Sequence, residues 1–268
     1  MKRALAAEFG KLRRSRMILW TVLVIIGYTS IGLVVFPVVE DMIAQGQVGS
    51  GVAAGAPDVF AQAGIVRIDW QTAMRFVPMG VSGAWGIMLL SLIAAYVFGR
   101  ELREGTDVTM ATLPVRREWF VVAKLVVIAV WVAALAALAV VAQVAVDALM
   151  IDLDTFAWVH VWRAFVDTLY ACLPIYLTLP LVGWLSVTRR GYLRPMLFAL
   201  VMFMVANSLI GLEASRYFPW SMPIAAVGVT WMPLAKGLSA ASWAIAGATF
   251  AGGLALVMRA FNRVGEAA

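Results

Sequence analysis

This sequence predicts an all-α integral membrane protein with six transmembrane helices, and three observations support that fold class. The 268-residue chain is 63% apolar and only 13% charged, whereas a soluble domain is about 45–50% apolar and about 25% charged. Its apolar residues gather into six runs, about 17–39, 77–98, 120–146, 164–187, 195–212 and 238–258, and a helix needs ~20 such residues to cross roughly 30 Å of hydrocarbon. Its basic residues also divide unequally between the two sides that these runs define, as expected when Lys and Arg are retained on the cytoplasmic face.

Taken in order, residues 1–16 form an amphipathic helix. Leu5, Phe9 and Leu12 recur on one face while Lys and Arg occupy the rest, a pattern that lies on the inner leaflet or simply orients the chain as a basic tail. The run 17–39 has spanning length and no small-residue cleavage pattern after it, so it is expected to remain as a helix rather than leave as a signal peptide. Residues 45–64 are rich in Gly and Ala and read as a flexible external loop. Val66, Ile68 and Trp70 then alternate with Arg67 and Asp69, either as a short strand or as the start of a surface helix. The fifth run is short, and 219–235 is cut by Pro219, Pro223 and Pro233, which makes it a re-entrant or interfacial helix on the outside. With this topology sixteen Lys and Arg residues fall inside and five outside, which puts both termini in the cytoplasm. A seventh span through 219–235 would move Arg259 and Arg263 outside, against that rule. The whole chain, 1–268, reads as one transmembrane domain.

Several functions are excluded. The formal net charge is +6, but the basic residues cap apolar spans instead of forming a continuous face, so nucleic acid is not a partner. Cys172 is the single cysteine, leaving no intrachain disulfide and no cysteine metal site. Gly10-Lys11 is followed by Leu12, whereas a phosphate-binding loop needs Ser or Thr there to reach magnesium. His160 is the single histidine and reads as a polar interfacial residue, with no metal site around it. Gly80-Val81-Ser82-Gly83 lacks the spacing of a nucleophile elbow. No catalytic residue, metal ligand or cofactor of the chain's own is therefore expected.

Polar groups near the outer membrane edge remain candidates, because charge within a membrane is costly and often functional. Gln143 and Asp147 share a helical face, as do Arg163 and Asp167. They read either as a salt-bridged hairpin end or, with Asn207 and Trp220, as lining for a substrate path. Asn207 alone suits a helix–helix hydrogen bond. Trp70, Trp85, Trp158, Trp162, Trp220, Trp231 and Trp243 fit an outer aromatic belt for the most part. Small residues at four-residue spacing, Ala129, Ala133 and Ala137, and Ala244, Ala248 and Gly252, permit close helix approach and a contact between copies.

The most informative segment follows the second span: Phe98-Gly99-Arg100-Glu101-Leu102-Arg103-Glu104-Gly105-Thr106-Asp107, then Leu113-Pro114-Val115-Arg116-Arg117, with Lys124 opening the third helix. Gly105 can end one helix, Thr106 can cap the next, Asp107 suits its positive end and Pro114 stops it. The result is a short cytoplasmic helix, about 107–113, shaped to enter a groove on a soluble partner.

This Glu...Gly-Thr...Leu-Pro...Arg...Lys order between the second and third spans resembles the permease subunits of ABC-2 type transporters, and the resemblance covers essentially the whole chain. Arg190-Gly191-Tyr192-Leu193-Arg194-Pro195 and Tyr217-Phe218-Pro219-Trp220-Ser221-Met222-Pro223 further look like the bacitracin-resistance and lantibiotic-immunity branch. The resemblance implies a bacterial plasma-membrane permease, joined to a second copy of itself and to two separately encoded subunits that carry ATP and Mg. By carry-over, Glu101, Glu104, Gly105, Thr106, Asp107, Pro114, Arg116 and Arg117 form the ATPase-coupling element, and the basic N-terminal helix is a second contact. The implied activity is export of a hydrophobic or amphipathic compound such as an antimicrobial peptide or drug. The alternative is an antibiotic sensor in which ATP turnover drives signalling.

Overall fold

The computed structural model describes residues 2–13, 15–45, 68–104, 117–189, 191–209, 212–227 and 237–266. Among these residues the regular structure is helical, without strands: α1 (Lys2–Arg13), α2 (Arg16–Ser30), α3 (Gly32–Ala44), α4 (Trp70–Met74), α5 (Phe76–Ser82), α6 (Ala84–Glu104), α7 (Arg117–Met150), α8 (Trp158–Arg189), α9 (Leu193–Ser208), α10 (Met222–Val227) and α11 (Ala240–Glu266). Two 3-10 turns, Leu153–Thr155 and Glu213–Arg216, complete the set.

Local chemistry sets the boundaries of these helices. Ser15 Oγ accepts the Met17 N–H at 3.0 Å and starts α2, supplying an acceptor to an otherwise orphan donor. Asp69 Oδ1 accepts the Thr72 N–H at 2.8 Å and starts α4. The described part of the 66–70 alternation, from Ile68 on, is therefore a helix start, and its apolar members Ile68 and Trp70 are buried. The Trp70 indole N–H donates to the Asp152 carbonyl at 3.0 Å, and its ring meets Phe156 edge-on at 4.8 Å. These contacts tie α4 to the connection between α7 and α8.

The chain bends by 49° between Trp70–Ser82 and Trp85–Glu101. A Cβ at Gly86 would land on the Val81 carbonyl oxygen, so this close approach across the break requires glycine. The second expected span is accordingly a bent pair.

At the centre of the bundle, α8 packs against α11, α6, α10, α5, α7 and α9. Close approach again depends on missing side chains. A Cβ at Gly183 would sit 2.7 Å from the Phe98 ring of α6, and one at Gly253 would sit 2.9 Å from the Leu181 backbone nitrogen. On the other flank α7 receives α2, α1, α4 and α3.

Among the described residues, four helices, Arg16–Asp41, Glu118–Met150, Trp158–Thr188 and Ala240–Arg263, are long and apolar enough to cross a membrane, and the bent pair makes up to five. The chain is thus a multi-pass membrane protein, with regular structure that is helical among the described residues. The fifth expected run becomes Leu193–Ser208, only 16 residues, or about 24 Å at ~1.5 Å per residue, short of a ~30 Å core. The described part of 219–235 folds into α10, and Trp220, Ser221 and Met222 are buried against the bundle rather than laid over its surface. Trp85, Trp158 and Trp162 face outward as a belt requires, whereas Trp70 and Trp220 are core residues. The coupling helix 107–113, the 46–64 part of the external loop and Trp231 lie outside the described residues.

Candidate functional site

Four charged side chains meet where α1 crosses the near ends of α6 and α7. Lys11 Nζ donates to Glu101 Oε1 at 2.6 Å and to Glu8 Oε1 at 2.9 Å. Lys124 Nζ lies 3.0 Å from Glu101 Oε2 and 3.5 Å from Glu8 Oε2. The two cations and two carboxylates alternate in a closed ring with no net charge. Glu8, Glu101 and Lys124 are buried, and Lys124 also donates to the Val97 carbonyl of α6 at 2.8 Å. Burying such charges requires this degree of pairing, because an unpaired ion in an apolar interior carries a large desolvation cost.

Helical spacing explains how α1 contributes to the ring. Leu5, Glu8 and Leu12 recur at three- and four-residue steps, so one face carries apolar anchors and an acid. Leu5 packs against Phe120 and Ala123 of α7, and Leu12 packs against the main core. Phe9, expected on that face, is instead 38% exposed. Arg100 Nη1 donates to the Lys11 carbonyl at 3.2 Å, at the end of α1 where carbonyls lack helical partners. Ser15 Oγ and the Tyr96 hydroxyl share a hydrogen bond at 2.6 Å just beyond it. Lys11 is held above its ordinary value of 10.5: partial burial alone would lower it, but the carboxylates of Glu101 and Glu8 outweigh that effect.

Of the expected coupling residues, Glu101 is therefore a ring member. Glu104 ends α6 and Arg117 opens α7, without described side chains, while Gly105, Thr106, Asp107, Pro114 and Arg116 lie outside the described residues. Among the path candidates, Gln143 and Asp147 are buried together, with Gln143 Nε2 donating to Asp147 Oδ1 at 2.7 Å. Asp167 is exposed and forms no ion pair with Arg163, so the hairpin end is not salt-bridged there among the described residues. Asn207 is also exposed. Its Nδ2 donates to the Phe203 carbonyl of its own helix at 3.0 Å, in place of the expected bond between helices, because the side chain projects away from neighbouring helices. Trp220 is buried between Phe198 and Phe218, with ring centroids 5.6 and 5.3 Å away.

Residues 4–206 match the family model described as ABC-2 family transporter protein. The chain belongs to that family. It is similar to the bacitracin transport permease protein BCRB of Bacillus licheniformis, with 26% identity over 138 residues, covering 51% of this chain and 65% of the relative. No solved structure matches it. The family assignment makes the chain a transporter permease component.

In this ABC-2 family chain the resemblance named Glu101 and Lys124 but not Glu8 and Lys11, which complete the ring. Glu8 is the one acid in a strongly basic α1, and its position between Leu5 and Leu12 is the sequence signal that marks it as facing inward. Its contact with Lys124 spans 116 positions, a separation that no local pattern encodes.

Proposed function

We propose that this chain is the membrane-spanning subunit of an ATP-driven exporter that moves a hydrophobic or amphipathic compound, such as an antimicrobial peptide, outward. The observation that carries this reading is the Glu8–Lys11–Glu101–Lys124 ring. Residues 105–116 leave α6 four residues after Glu101 begins its last turn, and they re-enter α7 seven residues before Lys124. The ring thus binds α1 to both roots of that segment. A soluble ATP-binding subunit that gripped the segment through Gly105, Thr106, Asp107, Pro114, Arg116 and Arg117, with Glu104 beside it, would displace α1, α6 and α7 together. The similarity to a bacitracin permease supports an amphipathic peptide antibiotic as substrate.

In this reading ATP and Mg reside on two copies of the separate subunit, a second copy of this chain completes the pore, and both termini face the cytoplasm of a bacterial plasma membrane. Six crossings result if the bent pair and Leu193–Ser208 each complete one.

The test is co-expression with candidate ATP-binding subunits, followed by substrate-stimulated ATP hydrolysis in nanodiscs and uptake into inverted vesicles. Glu101→Ala should leave the complex assembled but reduce both stimulation and transport by about tenfold or more, the equivalent of ~1.4 kcal/mol of coupling. Unchanged stimulation would remove the ring from the coupling path. Stimulated hydrolysis without uptake would instead favour a sensor.

A further inference from the structure

Gln143 and Asp147 lie one turn apart near the far end of α7, and both side chains are 0% exposed. Gln143 Nε2 donates to Asp147 Oδ1 at 2.7 Å. The other two heteroatoms of the pair, Gln143 Oε1 and Asp147 Oδ2, are buried without a hydrogen-bond partner among the described residues. An amide oxygen and an ionised carboxylate oxygen offer only lone pairs. In the ionised form this arrangement leaves two acceptors wanting donors and one negative charge wanting a counterion, which buried groups in native proteins rarely tolerate.

The described surroundings supply neither donor nor counterion. At this end of the bundle α7 meets α3, whose Gly32 would place a Cβ 3.3 Å from Val146, and also α2, α4, α5, α8 and α11. The charged or titratable groups described on these elements and their connections are Arg16, Tyr28, Glu40, Asp41, Asp69, Arg75, Asp152, Asp154, His160, Arg163, Asp167, Tyr170, Cys172, Tyr176, Arg259 and Arg263. None of them hydrogen-bonds or ion-pairs with Asp147. Lys124 is 23 residues away on the same helix, about 35 Å at ~1.5 Å per residue.

A single hydrogen atom would resolve both orphans. We propose that Asp147 holds a proton, which its Oδ2 donates to Gln143 Oε1, making the buried pair a proton-binding site. The carboxylate gains one proton from water and becomes a neutral acid. Acid and amide then close a cyclic pair, with one N–H···O and one O–H···O bond running in opposite senses. Each of the four heteroatoms is satisfied and no charge remains buried. Loss of the proton leaves an uncompensated carboxylate beside the surface where α3 and α4 pack on α7. The seating of those outer elements, including the Trp70 bond to the Asp152 carbonyl, is thereby linked to proton concentration. This site is independent of the coupling ring and of any substrate.

The deciding experiment is infrared spectroscopy on the full-length chain in lipid nanodiscs, grown with isotope-labelled aspartate. At neutral pH the wild type should show one labelled carbonyl stretch of a protonated carboxylic acid. That band should shift in heavy water, convert to carboxylate bands only in alkali, and be missing from Asp147→Asn. Finding only ionised aspartate at neutral pH, or a carboxylate band that moves when Na+ is added, would overturn the proposal. Stability provides a second reading. The amide introduced by Asp147→Asn can still donate to Gln143 Oε1, so that variant should match wild type at neutral pH in its denaturation midpoint, while Asp147→Leu falls below it. Equal loss in both variants would show that the charge itself is required and would also overturn the proposal.

Discussion

Lys124 is the ring member with the least freedom, having no exposed surface and three oxygens around its ammonium. Lys124→Met should cost about 3–5 kcal/mol in a mixed-micelle denaturation, because it strands two carboxylates with one cation. Adding Glu101→Gln should recover part of that loss, since the paired residues couple by roughly 0.5–3 kcal/mol. Lys11 sets the response to pH. Its value is raised above 10.5, so its stabilising contribution is complete below that pH and fades as pH climbs through the raised folded value. A fluorophore on α1 should therefore report a tightly docked helix at neutral pH and a loosened one in alkali above about 10.5. Lys11→Met should abolish the alkaline transition.

At the level of elements, α6 and α8 approach through Gly183 and Phe98. Gly183→Ala should cost about 1–3 kcal/mol, because the fully buried ring has no open side to retreat into, and Phe98→Leu should relieve much of that cost in the double variant. Asp69→Ala removes the cap of α4 and about 1 kcal/mol, read as faster amide exchange over Trp70–Met74. Sequence pattern alone located the long helices, because a twenty-residue apolar run has few alternatives in a bilayer. It was less informative where direction depends on neighbours. Five residues of α4 are too few for a period to declare itself, and Trp220 resembled a belt residue until α9 and the 217–221 turn enclosed it. The path candidates show the same limit. Gln143 and Asp147 share a face by spacing and do meet, whereas Asp167 and Asn207 point outward, which spacing cannot reveal.

For the whole molecule, α7 carries the charge ring at one end and the Gln143–Asp147 pair at the other, while α8 contacts most of the remaining helices. The small residues of the third and sixth runs are left outside this arrangement. Ala129, Ala137, Ala244, Ala248 and Gly252 are exposed, and a Cβ at Gly252 would meet nothing within 4 Å. Gly252→Leu should accordingly leave folding of one chain intact while lowering the dimer fraction in nanodiscs by single-molecule photobleaching. Unchanged dimerisation would assign the surface to lipid. The four-charge ring has one more consequence, which follows from connectivity rather than energy. Its contacts form a circuit, so deleting any one member leaves the other three joined in a line that still includes a residue of α1. Single substitutions should therefore weaken α1 without setting it adrift, and detachment should require breaking both Glu8–Lys124 and Lys11–Glu101, through the loss of one member of each pair. Such redundancy would let these positions change one at a time across related chains while the latch itself persists.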